Sequence, residues 1–220
     1  MDNYNPVGHE PGHSTKKQII ESKQLLAIMQ KRRTVRSFSN EPVRKEIVED
    51  CIKIAASAPS GANSQQWSFV LVENLEMKQK IRARAEEVES KFYADKITKE
   101  WKAQLKPLST SAFKPFLEEA PFLICIFQQK YGYDEKGRRK THYYSSMSLG
   151  IAAGFLITAL HLSGLSCLTY TPAPMNFLSA LLERPENEKP YMIIVVGYPD
   201  ENYIPPDIPK KTSSEYLTII

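Results

Sequence analysis

Four short runs rich in β-branched and aromatic residues, 68–73, 122–128, 166–171 and 191–196, alternate with longer segments of helical periodicity. Runs of that length and composition read as strands bounded by turns. The segments between them repeat apolar residues at helical spacing. Such alternation confines the chain to an α+β or α/β sandwich built on one sheet. With 220 residues and 42% hydrophobic content, it suits one fairly large domain with a real core.

Ile19, Leu25, Leu26 and Met29 mark a first helix opening at Lys16, capped by Ser14 or Thr15. A polar tail over 1–15, holding two prolines and two glycines, is expected to be flexible. Ile47, Cys51, Ile54, Ala55 and Ala58 share one side of a second helix over 44–58, which Pro59 stops. Further helices are expected over 75–90, 142–161 and 174–183. The stretch 79–106 has neither glycine nor proline, and its apolar stripe runs Ile81, Ala85, Val88, Phe92, then Ile97, Trp101, Leu105. The slip between Phe92 and Ile97 predicts two helices meeting near Asp95. A charged hairpin with few apolar anchors is a candidate lid, assigned to 79–115 within a domain spanning 16–220.

Several function classes are disfavoured. The 29 cations are interleaved with 25 anions for a net charge of +4, which argues against a nucleic-acid binder. Cys51, Cys125 and Cys167 lie apart in apolar runs, as buried thiols of a reducing compartment do. The most apolar stretch, 150–165, is interrupted by Thr158, His161 and Ser163 and is too short to span a membrane. No signal-peptide layout opens the chain, so a cytoplasmic location is expected. His9, His13, His142 and His161 show no metal-ligand spacing. No GxSxG elbow, GxGxxG turn or P-loop is present. Gly150 and Gly154 would allow close helix contact, and the proline-containing run 202–214 delivers a strand-like end, 216–220. Both features predict a homodimer in which that end pairs with the sheet of a second subunit.

Arg32-Arg33-Thr34-Val35-Arg36 places three guanidiniums and a hydroxyl within reach of one phosphate. After one more helix, Pro59-Ser60-Gly61 forms a small-residue loop that a ligand can approach closely. These features suit a phosphate-bearing cofactor held by arginines. The first block, with 58–67, 167–172, Val195-Val196-Gly197-Tyr198-Pro199 and Lys210-Lys211, resembles the FMN-binding signature of the nitroreductase superfamily. Glu89, Tyr93 and Lys114, with Trp101 and Leu105 between them, resemble the substrate-lid residues of its iodotyrosine deiodinase branch.

The resemblance implies an α+β three-layer sandwich with a central mixed sheet and a C-terminal strand exchanged across a homodimer. It implies FMN, with Arg32, Thr34 and Lys210 or Lys211 toward the phosphate, Arg36 near the pyrimidine edge, and Arg33 either a further cofactor contact or a surface ion-pair partner. Pro59, Ser60 and Gly61 would approach the flavin from their loop, and Thr169, Tyr170 and Thr171 from the end of a strand. Thr171 is the expected catalytic residue, its hydroxyl donating to the flavin N5 and favouring one-electron steps. The Ala62 amide would help hold a substrate phenolate. A free amino acid is a zwitterion, so its pocket needs opposite charges at its two ends. Glu89 suits the ammonium, while Lys114 and Tyr93 suit the carboxylate. Glu89 and Tyr93 stand at i and i+4 and share a helix face. The implied activity is reductive removal of halide from 3-iodotyrosine, 3,5-diiodotyrosine and the bromo and chloro analogues, with electrons from an external reductant. The alternative is a general NAD(P)H-dependent nitroreductase or quinone reductase.

Overall fold

The computed structural model describes residues 15–95, 97–108 and 110–220. The expected tail residues 1–14, with the Ser14 cap and His9 and His13, lie outside the described residues. Two compact units divide the chain, with the boundary between Arg32 and Arg33. The first contains α1 (Thr15–Gln30), followed by a turn in which the Lys31 and Arg32 amides donate to the Ile28 and Met29 carbonyls.

The second unit runs in chain order through α2 (Lys45–Ala56), β1 (Trp67–Val72), α3 (Leu75–Asp95), α4 (Lys99–Leu105) and α5 (Phe116–Glu119). It continues with β2 (Phe122–Gln129), β3 (Tyr131–Tyr133), β4 (Arg139–Thr141), α6 (Ser145–Leu162) and β5 (Ser166–Tyr170). It closes with α7 (Phe177–Leu181), β6 (Glu188–Gly197) and α8 (Ser213–Tyr216). The main sheet has the order β1-β2-β6-β5, and its three ladders are all antiparallel. A parallel element enters at its edge, where Thr34 bridges Cys167 of β5.

Both faces of the central strands are buried, which explains their unbroken apolar composition. Successive side chains of a strand point to opposite faces. On β2, Phe122, Ile124 and Ile126 enter a core shared with α2 and α6, through Val48, Cys51, Ala55, Leu149, Leu156 and Leu160. Leu123, Cys125 and Phe127 face the second core, with Ile81 and Ala85 of α3, Leu117 of α5 and Leu178 of α7. β6 alternates in the same way, Ile194 and Val196 against Ile193 and Val195. The result is helix, sheet and helix in three layers.

The hairpin break predicted near Asp95 is present, since α3 ends there and α4 begins at Lys99. The helix expected over 174–183 is reduced to α7. Pro172 and Pro174 disfavour helical geometry in the residues before them, and α7 begins only at Phe177. Thr171, preceding Pro172, likewise falls just outside β5. The β3–β4 ladder was not foreseen, because its strands are short and polar. Its turn is closed by the Asp134 carboxylate accepting from the Lys136 and Arg138 amides, with Gly137 at φ 73°. The end expected to be strand-like opens as the short helix α8, with a Thr212–Glu215 capping box. Residues 217–220 join no ladder within the single chain. The reading that no stretch reaches membrane-spanning length needs correction. α6 has 18 residues with mean hydropathy 1.5, sufficient by length and composition. Its inward face is nevertheless used, since Leu149, Ala152, Leu156 and Leu160 are fully buried against the sheet.

Candidate active site

The segment 33–38 is stitched between β5 and the chain that follows β6. The Val35 amide donates to the Cys167 carbonyl at 3.3 Å, and the Ser39 amide donates to Tyr198 at 3.0 Å. Phe38 bridges Pro199, and the Tyr203 hydroxyl donates to the Thr34 carbonyl at 3.3 Å. Val35 and Phe38 are buried, which leaves Arg33, Thr34 and Arg36 half-buried and directed away from the core. Arg33 donates to the Pro206 carbonyl.

The loop after α2 carries backbone strain. Ala62, Asn63 and Gln65 have φ of 52°, 51° and 45°, in the left-handed region that non-glycine residues rarely adopt. A close set of hydrogen bonds imposes this shape. Ser60 Oγ accepts from the Gln65 amide at 2.9 Å, and Ser64 Oγ donates to the Gly61 carbonyl at 2.7 Å. The buried Gln66 amide group donates to the Tyr143 carbonyl at 2.9 Å, and the Gly61 amide donates to Ser148 Oγ at 3.3 Å. Strain held in place by surrounding structure is typical of ligand loops.

A cleft of about 220 Å³ opens between α3, α4 and the end of β5. Glu89 and Tyr93 of α3, Lys114, Arg36, and Thr169, Tyr170 and Thr171 all line it. Lys114 Nζ lies 3.3 Å from Glu89 Oε2, with the two side chains only 4% and 15% exposed. It also donates to Thr110 Oγ1 at 3.2 Å, while the Lys114 backbone amide donates to Glu86 Oε1 at 2.7 Å. Burial pulls the Lys114 pKa below the ordinary lysine value, opposed chiefly by the Glu89 carboxylate and reinforced by the Arg36 charge. Tyr93 and Tyr170 flank the ammonium group, with ring centroids 5.8 and 5.6 Å away. Phe92 packs edge-on to Trp101 at 4.9 Å, tying α4 to the end of α3 above the cleft.

The family profile described as Nitroreductase family matches residues 29–198. The chain belongs to the nitroreductase family. Among its relatives, the iodotyrosine deiodinase of Haliscomenobacter hydrossis is 42% identical over 201 residues, spanning 91% of this chain and 90% of that one. The iodotyrosine deiodinase of Hydra vulgaris is 39% identical over 210 residues, spanning 95% and 77%. The crystal structure of oxidized iodotyrosine deiodinase bound to FMN and 3-iodo-L-tyrosine superposes with a TM-score of 0.76 at 32% identity. That match spans 89% of this chain and 100% of the other. An FMN-bound nitroreductase from Bacteroides fragilis shares the fold, with a TM-score of 0.65 at 19% identity over 90% of this chain and 98% of its own.

In this nitroreductase-family chain, the residues anticipated from sequence fall into three places. Glu89, Tyr93, Lys114, Arg36, Thr169, Tyr170 and Thr171 share the cleft. Pro59, Ser60, Gly61 and Ala62 form the strained loop and do not line it. Arg33 and Thr34 lie on the stitched segment, and Lys210 and Lys211 are exposed on the extended run after Pro209. Arg32 belongs to the first unit, in the turn after α1. Thr110, Glu86 and Gln66 had not been singled out for these positions. Glu86 was accessible to helical spacing, being one turn before Glu89. Gln66 acts through a contact distant in sequence, and Thr110, four residues before Lys114, lies in an irregular segment where that spacing carries no signal.

Proposed function

We propose that this chain is an FMN-dependent oxidoreductase that reductively dehalogenates halotyrosines. One observation carries the substrate assignment: a mostly buried carboxylate and a buried ammonium, Glu89 and Lys114, paired in a cleft that aromatic side chains flank. A zwitterionic amino acid can exchange with that pair, its ammonium taking Glu89 and its carboxylate taking Lys114. Both protein charges then keep a partner without return to water. The Tyr93 hydroxyl adds a donor to the carboxylate, and ligand contact with the α3–α4 hairpin excludes water from the ring.

The residues present fit FMN. The strained, hydrogen-bonded loop at 60–65 offers backbone to a close ligand, and half-buried Arg36 and Thr34 offer a cation and a hydroxyl. Arg33 and Lys210 add cations for the cofactor, and Thr169 and Thr171 the flavin edge, on the strength of the family resemblance. Bound FMN supplies the electrons. Each carbon–halogen bond cleaved takes two electrons and one proton, the halide leaving with the bonding pair, so a monohalotyrosine gives tyrosine in one round and diiodotyrosine in two. The Ala62 amide steadies the phenolate, and the Thr171 hydroxyl, exposed at the strand end, donates toward the cofactor. Iodo-, diiodo-, bromo- and chlorotyrosine all present the same phenol and zwitterion to these groups. The electrons come from an external reductant, NADPH-linked or otherwise, in the cytoplasm.

The working form we propose is a homodimer with the two sites at its interface. The outward face of α6 carries Met147, Ile151, Phe155 and Leu162, between 41% and 62% exposed, an apolar surface suited to a second copy. The 216–220 end then reaches the partner's sheet. Nothing lies within 4 Å of a Cβ added at Gly154, so Gly154→Phe is expected to leave the single chain folded. Analytical ultracentrifugation should then show monomer where the parent chain shows dimer.

Anaerobic dithionite reduction with 3-iodotyrosine tests the activity. Stoichiometric iodide and tyrosine over many turnovers are expected. A protein that reduces normally and releases no iodide, yet turns over nitroaromatics or quinones with NAD(P)H, would establish the general reductase instead. Thr171→Ala is expected to slow iodide release at least about tenfold, in line with loss of one preorganised donor, with FMN content unchanged.

A further inference from the structure

Tyr170 was grouped with Thr169 and Thr171 on the cofactor side, but the strand separates them. Cys167 of β5 points into the α2–α6 core, whereas Leu168 and Tyr170 point into the other core. Thr169 and Thr171 are exposed, while Tyr170 is buried, its ring edge-on to Phe116 at 5.6 Å. Its hydroxyl is buried and has no hydrogen-bond partner among the described residues. A phenol left in that state is expensive, because the desolvated oxygen has nothing in place of water. The oxygen is also beside charge. Burial first, and then the Glu89 carboxylate, raise the Tyr170 pKa, so the phenol keeps its proton at neutral pH. Glu89 is near enough to act on it as a charge and as an incipient acceptor, yet no hydrogen bond of full geometry closes among the described residues while Lys114 holds the carboxylate at 3.3 Å.

We infer that Tyr170 is a substrate-specificity residue, its hydroxyl accepting from the ligand's ammonium and donating to Glu89 once the Glu89–Lys114 pair is opened. This rests on the halotyrosine reading above. An ammonium has three donors, and Glu89 alone cannot satisfy them in a dry cleft. The phenol oxygen fills a second place and gains its own missing partners in the same step. Recognition would therefore discriminate an α-amino acid from the same phenol without its amine.

The test uses FMN-loaded protein and flavin-fluorescence quenching. Affinities of the parent chain and Tyr170→Phe are compared for 3-iodotyrosine and its des-amino analogue, 3-(4-hydroxy-3-iodophenyl)propionate. Loss of a hydrogen bond to a charged group predicts at least about a tenfold rise in Kd for 3-iodotyrosine. Kd for the des-amino analogue should stay within about twofold, and FMN content should be unchanged. Tyr170→Leu, which also removes the ring, should weaken both ligands and so separate loss of packing from loss of the hydroxyl. Equal losses for both ligands in Tyr170→Phe, or no loss for either, would overturn the assignment while the dehalogenase reading stood. Failure of the parent chain to bind 3-iodotyrosine would overturn both.

Discussion

Glu89→Gln should abolish most of the affinity for halotyrosines while FMN stays bound. The carboxylate is only 15% exposed and is the acceptor within reach of a ligand ammonium near Lys114. A neutral amide retains the shape but loses the charge and presents two donors toward another donor. Loss of a charge-assisted contact of this kind weakens binding on the order of 100-fold. Titration of the FMN-loaded variant with 3-iodotyrosine measures it, and an unchanged Kd would remove Glu89 from the substrate site.

The same substitution should destabilise the fold, because Lys114 is left buried without its counter-charge. Breaking one side of a buried pair costs about 3 kcal/mol. Burial already holds the Lys114 pKa below the ordinary value, and Glu89 opposes that fall. Without Glu89 the folded-state pKa drops further, so between it and the unfolded value the unfolded chain binds the extra proton. Stability of the variant must then rise with pH. Denaturant melts from pH 7 to pH 10 should show its deficit shrinking toward the alkaline end. A deficit constant across that range would mean that Lys114 is not the strained group.

Gly197→Ala should be the most damaging single methyl in the sheet. Gly197 ends β6, and an added Cβ would stand 2.8 Å from Pro121 Cδ and 2.9 Å from Phe38 Cδ1. Neither neighbour can yield easily, since one is a proline ring and the other is buried at 4% exposure. Overpacking of this kind costs about 1–3 kcal/mol. The displacement also has a functional direction. Phe38 bridges Pro199, and the same stitched segment carries Thr34 and Arg36. We therefore expect weaker FMN retention together with a lower denaturation midpoint. A variant that keeps FMN as tightly as the parent would separate that segment from the cofactor site.

How much of this could be read in advance depended on the range of the interactions. The strand at 122–128, the break at Asp95 and the shared face of Glu89 and Tyr93 are local consequences of composition and backbone period, and each was legible in the residues. Gly197 was visible as part of a motif, but its reason is a three-way contact among β6, Pro121 and Phe38. Tyr170 was misleading by adjacency. Strand alternation already turns it to the face opposite Thr169 and Thr171, but alternation says nothing of the burial of its hydroxyl there. The strain at Ala62, Asn63 and Gln65 had no signal in composition, since none of the three is glycine and the bonds that impose it reach Tyr143 and Ser148.

By itself, the sequence determined the four strands of the main sheet, the principal helices between them, and the family to which the chain belongs. These follow from periodicity and from short blocks that a chain carries wherever it folds. Tertiary structure alone brought Lys114 to Glu89, since the two sit on separate elements and meet only because α3 and the segment before α5 pack on the same core face. It also decided that this pair would be dry, that Thr110 and Glu86 would hold the lysine, and that Tyr170 would lie unpartnered beside them. Charge and hydrogen-bonding capacity are properties of single residues, but desolvation is a property of the packed cleft, and here it turns two ordinary charged side chains into a candidate site.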